Sequence, residues 1–477
     1  MLTIVVQFFK AKKQSQSGKN RAQEQSCGET IEMSVDVIDH NANGILLSHQ
    51  PIIVVPASIP GEVYRVSIRS KKKKVWHGQI VKVLQGHESA RVKEFCPYVS
   101  ECGGCSHQSF DANYLIAAKQ TSLQSYLNNA IPSTRLERCE WEEVIKSDIA
   151  DNHYGYRRRA RLAIDARNSN EIKIGFRQEK SNKVVDIPKC AVLAESLQSV
   201  YERLVTIIKR LPSASSVGHI TLTEGAQRAQ VCLHLTKSLS TESVQMLALE
   251  QASSGTQYMI ESKSSKLINI TALGSLSASS DLATSSVSNS VFTIMDSPGL
   301  NLAVTANNFI QINQHVNQQM LKLAEDWLNP TSEDCVVDLF SGVGNFSLAL
   351  APYCKQVIGV EGVPEMVQQA QANAQLNGIQ NCRFEHYDLN DLALNARLNI
   401  PQGALFIVDP SRAGALAIMK VITVFKPQKI LYVSCNPTSF ARDINVLPSK
   451  FEITKMRALD MFPFTKHIEM VALISSK

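Results

Sequence analysis

"VVDLFSGVGNFSLALA", Val336 to Ala351, is a short apolar run carrying an acid, then a turn with two glycines, then an apolar helical pattern. The run reads as a buried strand. Gly342 and Gly344 let the backbone turn tightly against a ligand. A dinucleotide fingerprint would place a third glycine at position 347, where Ser347 stands, so pyrophosphate is poorly matched. Glu361 closes the next apolar run, "QVIGVE", where a carboxylate can take both hydroxyls of a ribose. Asp388 closes the third and can reach an adenine amino group. An acid in the first strand, a short G-x-G and a ribose carboxylate fit S-adenosylmethionine, which has no phosphate to cradle. The ordered set Asp338, Gly342, Gly344, Glu361, Asp388 and Asp409 carries this reading, although any one of these acids alone could be a helix cap.

Around that stretch, "CVVDLF", "QVIGVEG", "CRFEHYD", "ALFIVDP" and "KILYVSC" are apolar runs, most of them followed by a helical segment. The helical "NQHVNQQMLKLAEDWL" precedes them. This alternation predicts an α/β fold over residues 301–477, a doubly wound and mostly parallel sheet of Rossmann-like type.

Asp409 ends the fourth run, with Pro410 stopping it, and is expected to line the methyl-transfer site. In "YVSCNPTSFARD", Tyr432 to Asp443, Pro437 forbids the strand to continue and pushes Asn436 out of the helical region. Cys435 is thereby held on a stiff corner at a strand's C-terminal end, where open α/β sheets bind ligands. Taken alone it reads more readily as a cysteine packing as a small hydrophobe. Its companions decide otherwise. Glu469, in "MFPFTKHIEMVALI", opens the last apolar run. A thiol and a carboxylate near a methyl donor suit the alkylation of uracil at carbon 5. A thiolate adding to carbon 6 makes the ring an enolate, carbon 5 becomes nucleophilic, and a base then removes its proton. Cysteine is the soft nucleophile for that addition. Glutamate serves as base once partial burial raises its pKa.

The chain has 477 residues, room for about three domains. No apolar stretch is long enough to span a membrane. In "MLTIVVQFFKAKK" the apolar part precedes the lysines and no small-residue cleavage site follows, so a signal peptide is not expected. Net charge is +6, and residues 1–100 hold 14 Lys/Arg against 8 Asp/Glu, so the whole excess lies there. A basic arm over 1–27 suits a polyanion such as nucleic acid, or is simply a solvated charged segment. Short alternating strands over 28–87 predict a small antiparallel, OB-like barrel, with Lys71 to Lys74 at a turn where they can touch phosphate. A central α+β domain follows over 88–300. It contains "YGYRRRARLAI", which sets four arginines on a strand, and a Ser-rich stretch at about 252–290 without pattern.

Eleven unevenly spaced cysteines and no export signal point to the reducing cytoplasm. Cys96, Cys102 and Cys105, spaced C-x5-C-x2-C around a Gly-Gly bend, form a soft-metal site, for a four-iron cluster or for zinc. Cys190 in "IPKCAVL" can supply the fourth ligand.

"CGGCSHQ", "FIQIN", "DLFSGVGNFS", "DPSRAGA", "SCNPTSFARD" and "HIE", in this order, resemble the RNA 5-methyluridine methyltransferases, in the type that acts on 23S ribosomal RNA. The resemblance covers nearly the whole chain. The Cys-Asn-Pro and cluster motifs are specific, whereas the glycine turn is shared by many methyltransferases. It implies a TRAM-like barrel at about 28–87 and a [4Fe-4S] cluster on Cys96, Cys102, Cys105 and Cys190. It further implies S-adenosylmethionine contacts from Gln311, Phe340, Asn345, Glu361, Asp388 and Asp409, with Cys435 as nucleophile and Glu469 as base. The implied partner is 23S ribosomal RNA, with no membrane and no obligate protein partner. Two departures stand out: Ser411 where the family commonly has a second Pro in D-P-P-R, and Phe464 where a His is frequent. A tRNA-directed relative would lack the barrel and the cluster loop. A different S-adenosylmethionine enzyme, such as an amino-methyltransferase, would carry an aromatic where Ser411-Arg412 stand, and an inactive RNA-assembly factor would not need Cys435 and Glu469.

Overall fold

The computed structural model describes residues 29–147, 154–179, 181–262, 267–270, 292–391 and 398–476. The basic arm at 1–27 and most of the Ser-rich stretch lie outside the described residues.

The five apolar runs of the last third are five parallel strands. Cys335–Leu339 lies centrally, with Gln356–Glu361 and then Cys382–His386 on one side, and Leu405–Val408 and then Lys429–Ser434 on the other. The order reverses beside Cys335–Leu339, so the crevice at the strands' C-terminal ends opens there. Beyond Lys429–Ser434 the sheet turns antiparallel through Glu469–Ser476 and Phe451–Leu459.

Alternate residues of each strand feed two cores. Val337, Leu339, Ile358, Val360, Phe406 and Tyr432 face one layer, and Val336, Val357, Leu405, Ile407 and Leu431 face the other. Full burial of both faces explains why these strands read as continuous apolar runs. The second layer is covered by the helix Gln314–Leu328, which offers Val316, Met320, Leu323 and Trp327 at helical spacing. The first layer contains two elements from far upstream. The helix Ala112–Ala130 inserts Ile116, Leu123 and Leu127, and the two-residue strand Glu140–Trp141 extends the sheet edge beside Phe451–Leu459.

A seven-stranded sheet runs from Val184–Asp186 to Ile268–Asn269, antiparallel except where Gln230–Leu235 meets Gln257–Glu261 across the helix Thr241–Ser254. The amphipathic helix Glu195–Arg210 packs on it through Leu197, Val200, Tyr201, Leu204 and Ile208.

The first described segment forms a six-stranded sheet curled into a half-barrel around Ile53, Val55, Tyr64, Val66 and Ile68. The alternating pattern predicts antiparallel pairing throughout, but Ile52–Pro56 runs parallel to Val75–Gln85. A period of two places a residue on a face without telling which neighbour it meets.

Candidate active site

The glycine turn is built as its sequence requires. Phe340, Gly342 and Gly344 all have positive φ, of 70°, 57° and 99°, and the helix Asn345–Leu350 starts directly behind them. A Cβ on Gly342 would meet nothing within 4 Å, so the turn faces open space. Glu361 braces it by accepting from the Gly342 N–H at 3.1 Å and the Val363 N–H at 2.9 Å. Asp338 lies beneath, fully buried, accepting from the Ser347 N–H at 3.0 Å and hydroxyl at 2.6 Å through Oδ2. Its Oδ1 has no partner, and burial pushes this carboxyl up to about 7. An open cradle over an orphaned buried oxygen, with a half-exposed carboxylate at the next strand end, fits S-adenosylmethionine.

The other cofactor candidates differ in setting. Asn345 forms a reciprocal amide pair with buried Asn317, at 3.0 and 3.2 Å. Asp388 is exposed and caps its own turn through the Asn390 N–H at 2.9 Å. Gln311 is buried, and its main-chain carbonyl accepts from Arg158 Nε at 2.7 Å. Only two of the four arginines, Arg159 and Arg161, lie on the strand Arg159–Asp165. Arg158, just before it, is buried and paired with Asp296, and Arg159 donates to the Ala306 and Asn308 carbonyls. These two clamp the loop before Gln311. Arg161 is exposed.

Cys435 follows the last residue of Lys429–Ser434. Asn436 caps the helix Pro437–Ile444, accepting from the Thr438 N–H at 3.1 Å, and donates to the Arg412 carbonyl at 3.0 Å. The Ser434 hydroxyl accepts from the Asn436 N–H and donates to the Asn436 carbonyl. The corner is thus pinned on both sides of the cysteine. Ser434 pairs with Met470 in the antiparallel ladder, so one step further Cys435 stands opposite Glu469. Glu469 is buried, which pushes its carboxyl up to about 7 against the pull of Arg412. Burial also raises the Cys435 thiol, with Glu469 and Asp409 adding to this and Arg412 opposing it. Asp409 is raised well above the ordinary carboxylate range by burial, then by Glu469 and Asp338. Cys435, Glu469, Asp409 and Arg412 therefore lie close enough to feel one another's charge.

Arg412 is the residue that sequence reading passed over, although it stands three positions after Asp409 in "DPSRAGA". Its Nη2 lies 3.3 Å from Nδ1 of His467. Burial, followed by Arg412, drives this imidazole down to about 4, so it is neutral. Ser411 is exposed in the same turn.

The four candidate cluster cysteines approach one another without closing on a point. Cys102, Cys105 and Cys190 belong to one apolar cluster. Burial raises all three thiols, Cys105 to about 11 and Cys190 to about 12; Cys96 adds its charge at Cys102 and Cys105, and Arg157 opposes the rise at each of the three. Among the described residues, no three His, Cys, Asp or Glu side chains are gathered as a metal-ion site. The loop is tied to the active-site side: the Ser106 and His107 N–H groups both donate to the Phe464 carbonyl at 3.0 Å.

The strand order, glycine turn and strand-end acids define a methyltransferase of doubly wound α/β fold. The chain belongs to the tRNA (uracil-5-)-methyltransferase family, whose model matches residues 115–477. It is 34% identical over 472 residues to the 23S rRNA (uracil(1939)-C(5))-methyltransferase RlmD of Shewanella frigidimarina, covering 98% of this chain and 99% of that one. The protein of the same name from Alteromonas mediterranea is 34% identical over 471 residues, with 98% and 92% covered. A solved structure, the Pyrococcus abyssi tRNA (uracil-54, C5)-methyltransferase in complex with S-adenosyl-L-homocysteine, superposes with a TM-score of 0.67. At 23% identity over 93% of this chain and 99% of that one, it bears on the fold.

Proposed function

We propose that this protein methylates carbon 5 of one uridine in 23S ribosomal RNA. The observation that carries this reading is that Cys435 stands opposite buried Glu469 at the same C-terminal edge of the sheet as the glycine turn, with the strand of Asp409 between that turn and Cys435. S-adenosylmethionine, when bound there, supplies an electrophilic methyl group. Full-length similarity to ribosomal-RNA enzymes favours ribosomal over transfer RNA. The curled N-terminal sheet and cysteine loop do not decide it, contrary to the sequence expectation, since the tRNA-directed Pyrococcus abyssi enzyme superposes over 93% of this chain.

Cys435 forms a bond from sulfur to carbon 6 of uracil, and the electron pair of the 5,6 double bond moves toward the carbon-4 oxygen. Arg412, whose charge favours the thiolate, supports that addition. Once carbon 5 carries its methyl group, Glu469 takes the proton from carbon 5. The electrons re-form the double bond, and the thiolate of Cys435 leaves. A carboxyl raised to about 7 is matched to that proton transfer near neutral pH. Glu361 would hold the ribose and Asp388 the adenine. Phe340, Asn345 and Gln311 would complete the wall, with Asp409 facing the transfer site. The target base must leave its stack to reach Cys435, which favours a loop nucleotide.

Cys96, Cys102, Cys105 and Cys190 would hold a [4Fe-4S] cluster. Four soft thiols on a glycine-bent loop suit iron or zinc. A cluster spreads its thiolates more widely than a single ion with bonds of about 2.3 Å. The half-barrel at 28–87 and the 88–300 segment would bind RNA around the methyltransferase unit of 301–477, in the cytoplasm and without an obligate protein partner. No described helix is long and apolar enough to cross a membrane.

Nucleoside mass spectrometry of 23S ribosomal RNA from cells lacking the protein tests the assignment. Loss of one 5-methyluridine, restored by the intact gene and not by Cys435→Ala, is expected. An unchanged nucleoside profile would refute it.

A further inference from the structure

Lys119 is one of the largest fully buried side chains, 1% exposed. Its ammonium donates to two main-chain carbonyls, those of Thr465 and, at 3.0 Å, His467. Burial pushes this amine down to about 8, against the opposing charge of Asp460. Taking an ammonium out of water is costly, so its retention at this point calls for a use. The Phe464 carbonyl, next in line, is taken by the Ser106 and His107 N–H groups. Three carbonyls of the five-residue run before Glu469 are thus held by one upstream segment, 106–119. The sheet that carries Glu469 supplies none of these donors. Phe464, in this run, has a φ of 61°, a left-handed conformation that a bulky residue rarely adopts. Its ring packs at 5.1 Å from that of Phe95, next to Cys96.

We propose that Lys119 is a positioning residue for Glu469, fixing the 464–468 run so that the carboxylate meets the carbon-5 proton. Resting on the reading of Glu469 as base, this predicts a defect concentrated in the step that Glu469 performs. The hydrogen bonds of Lys119 go to the 464–468 run and not to Cys435 or the glycine turn, and the run meets the Cys435 side through the contact of His467 with Arg412. Addition and methyl transfer should therefore suffer far less than resolution from its loss.

The test uses full-length protein, a 23S-derived RNA hairpin and S-adenosylmethionine, with methyl transfer and covalent adduct followed in a single turnover. Lys119→Met should transfer methyl within about threefold of wild type yet resolve the adduct at least tenfold more slowly, giving a shifted band on a denaturing gel. Hydrogen exchange across 464–468 should accelerate while that across 429–434 does not. If Lys119→Met does not fold, Lys119→Gln, which keeps an N–H for these carbonyls, should give a slower resolution of intermediate size. Resolution at the wild-type rate by either folded variant would overturn the proposal. So would failure of both to fold, since Lys119 would then hold the fold and not the base. Glu469→Gln run alongside separates the two readings: if it turns over without an adduct, the base assignment fails, and if it traps the adduct while Lys119→Met resolves normally, only the positioning role fails.

Discussion

Cys435 and the cysteines of the 96–105 loop share a side chain and little else. Cys435 sits on a strand-to-helix corner pinned by Ser434 and Asn436, with Glu469, Asp409 and Arg412 as its charged neighbours. Cys102 and Cys105 sit on an irregular loop, and their neighbours include one another's sulfurs. A thiol between carboxyl groups and a cation suits the proposed making and breaking of one bond. Thiols that feel mainly each other's charge and burial need a shared cation to be stable as thiolates. Mounting separates them too: Cys435 is carried by a sheet buried on both faces, whereas the loop is held by hydrogen bonds that include those to the Phe464 and Arg177 carbonyls.

The sharpest way to break this comparison is to remove one cysteine from each place. Cys435→Ala should lower methyl transfer by on the order of 10⁴-fold or more, as expected for a nucleophile, with melting temperature and cofactor affinity unchanged. Measurable turnover would move the nucleophile elsewhere. Cys102→Ala should behave in the opposite way. Iron content should collapse and stability fall by roughly 4 kcal/mol, the size expected when a bound metal group is lost. The protein that remains folded should still transfer methyl within a few-fold. A stable, iron-free variant with wild-type melting would show that the loop thiols are merely packed.

A smaller effect sharpens the electrostatic side. Glu469 has its carboxyl raised from 4.5 to about 7, so the folded state keeps a proton that the unfolded chain releases between those values. Stability contributed at this residue is present below pH 4.5 and is lost as pH rises through 7. Glu469→Gln stays neutral throughout and should be more stable than wild type above pH 7, by up to about 3 kcal/mol at about 1.36 kcal/mol per unit. The advantage should vanish by about pH 4, below both values. Urea melts at acidic and alkaline pH that show the same difference would place the carboxylate in a solvated setting.

The smallest effect belongs to the half-barrel. Lys71 packs over Trp76 at 4.1 Å and pairs with Glu29, and Lys72 and Lys73 are exposed at the turn. Replacing Lys71 to Lys74 by Ala should reduce the salt dependence of RNA binding by roughly 0.7 for each phosphate of a single strand that is no longer neutralised. Unaltered slope and affinity would leave these lysines as a solvated turn.

The same contrast governs what could be read in advance. Strands buried on both faces are continuous apolar runs, and Pro410 and Pro437 mark where they stop, so the parallel sheet and the corners of Asp409 and Cys435 were legible. Glu469 was legible because it opens the last run. Arg412 was within reach, since a cation three residues beyond Asp409 shares its turn. Lys119 was not. A lone lysine in "LIAAKQTS" reads as a solvated helix face, and only tertiary packing of that helix against the loop at 464–468 buries it. The edge strand Glu140–Trp141 leaves no pattern at two residues. Spacing named the loop cysteines, but how closely the four sulfurs gather depends on Cys190, some eighty-five residues away on another loop.

The proposed covalent pairing of Cys435 with RNA, resolved by Glu469, is tested most directly on a denaturing gel. Glu469→Gln incubated with the RNA hairpin and S-adenosylmethionine should give a slowly migrating protein–RNA band whose uracil already carries its methyl group. The double variant Cys435→Ala, Glu469→Gln should give none. Full turnover by Glu469→Gln without a shifted band, or a band that persists in the double variant, would contradict the account.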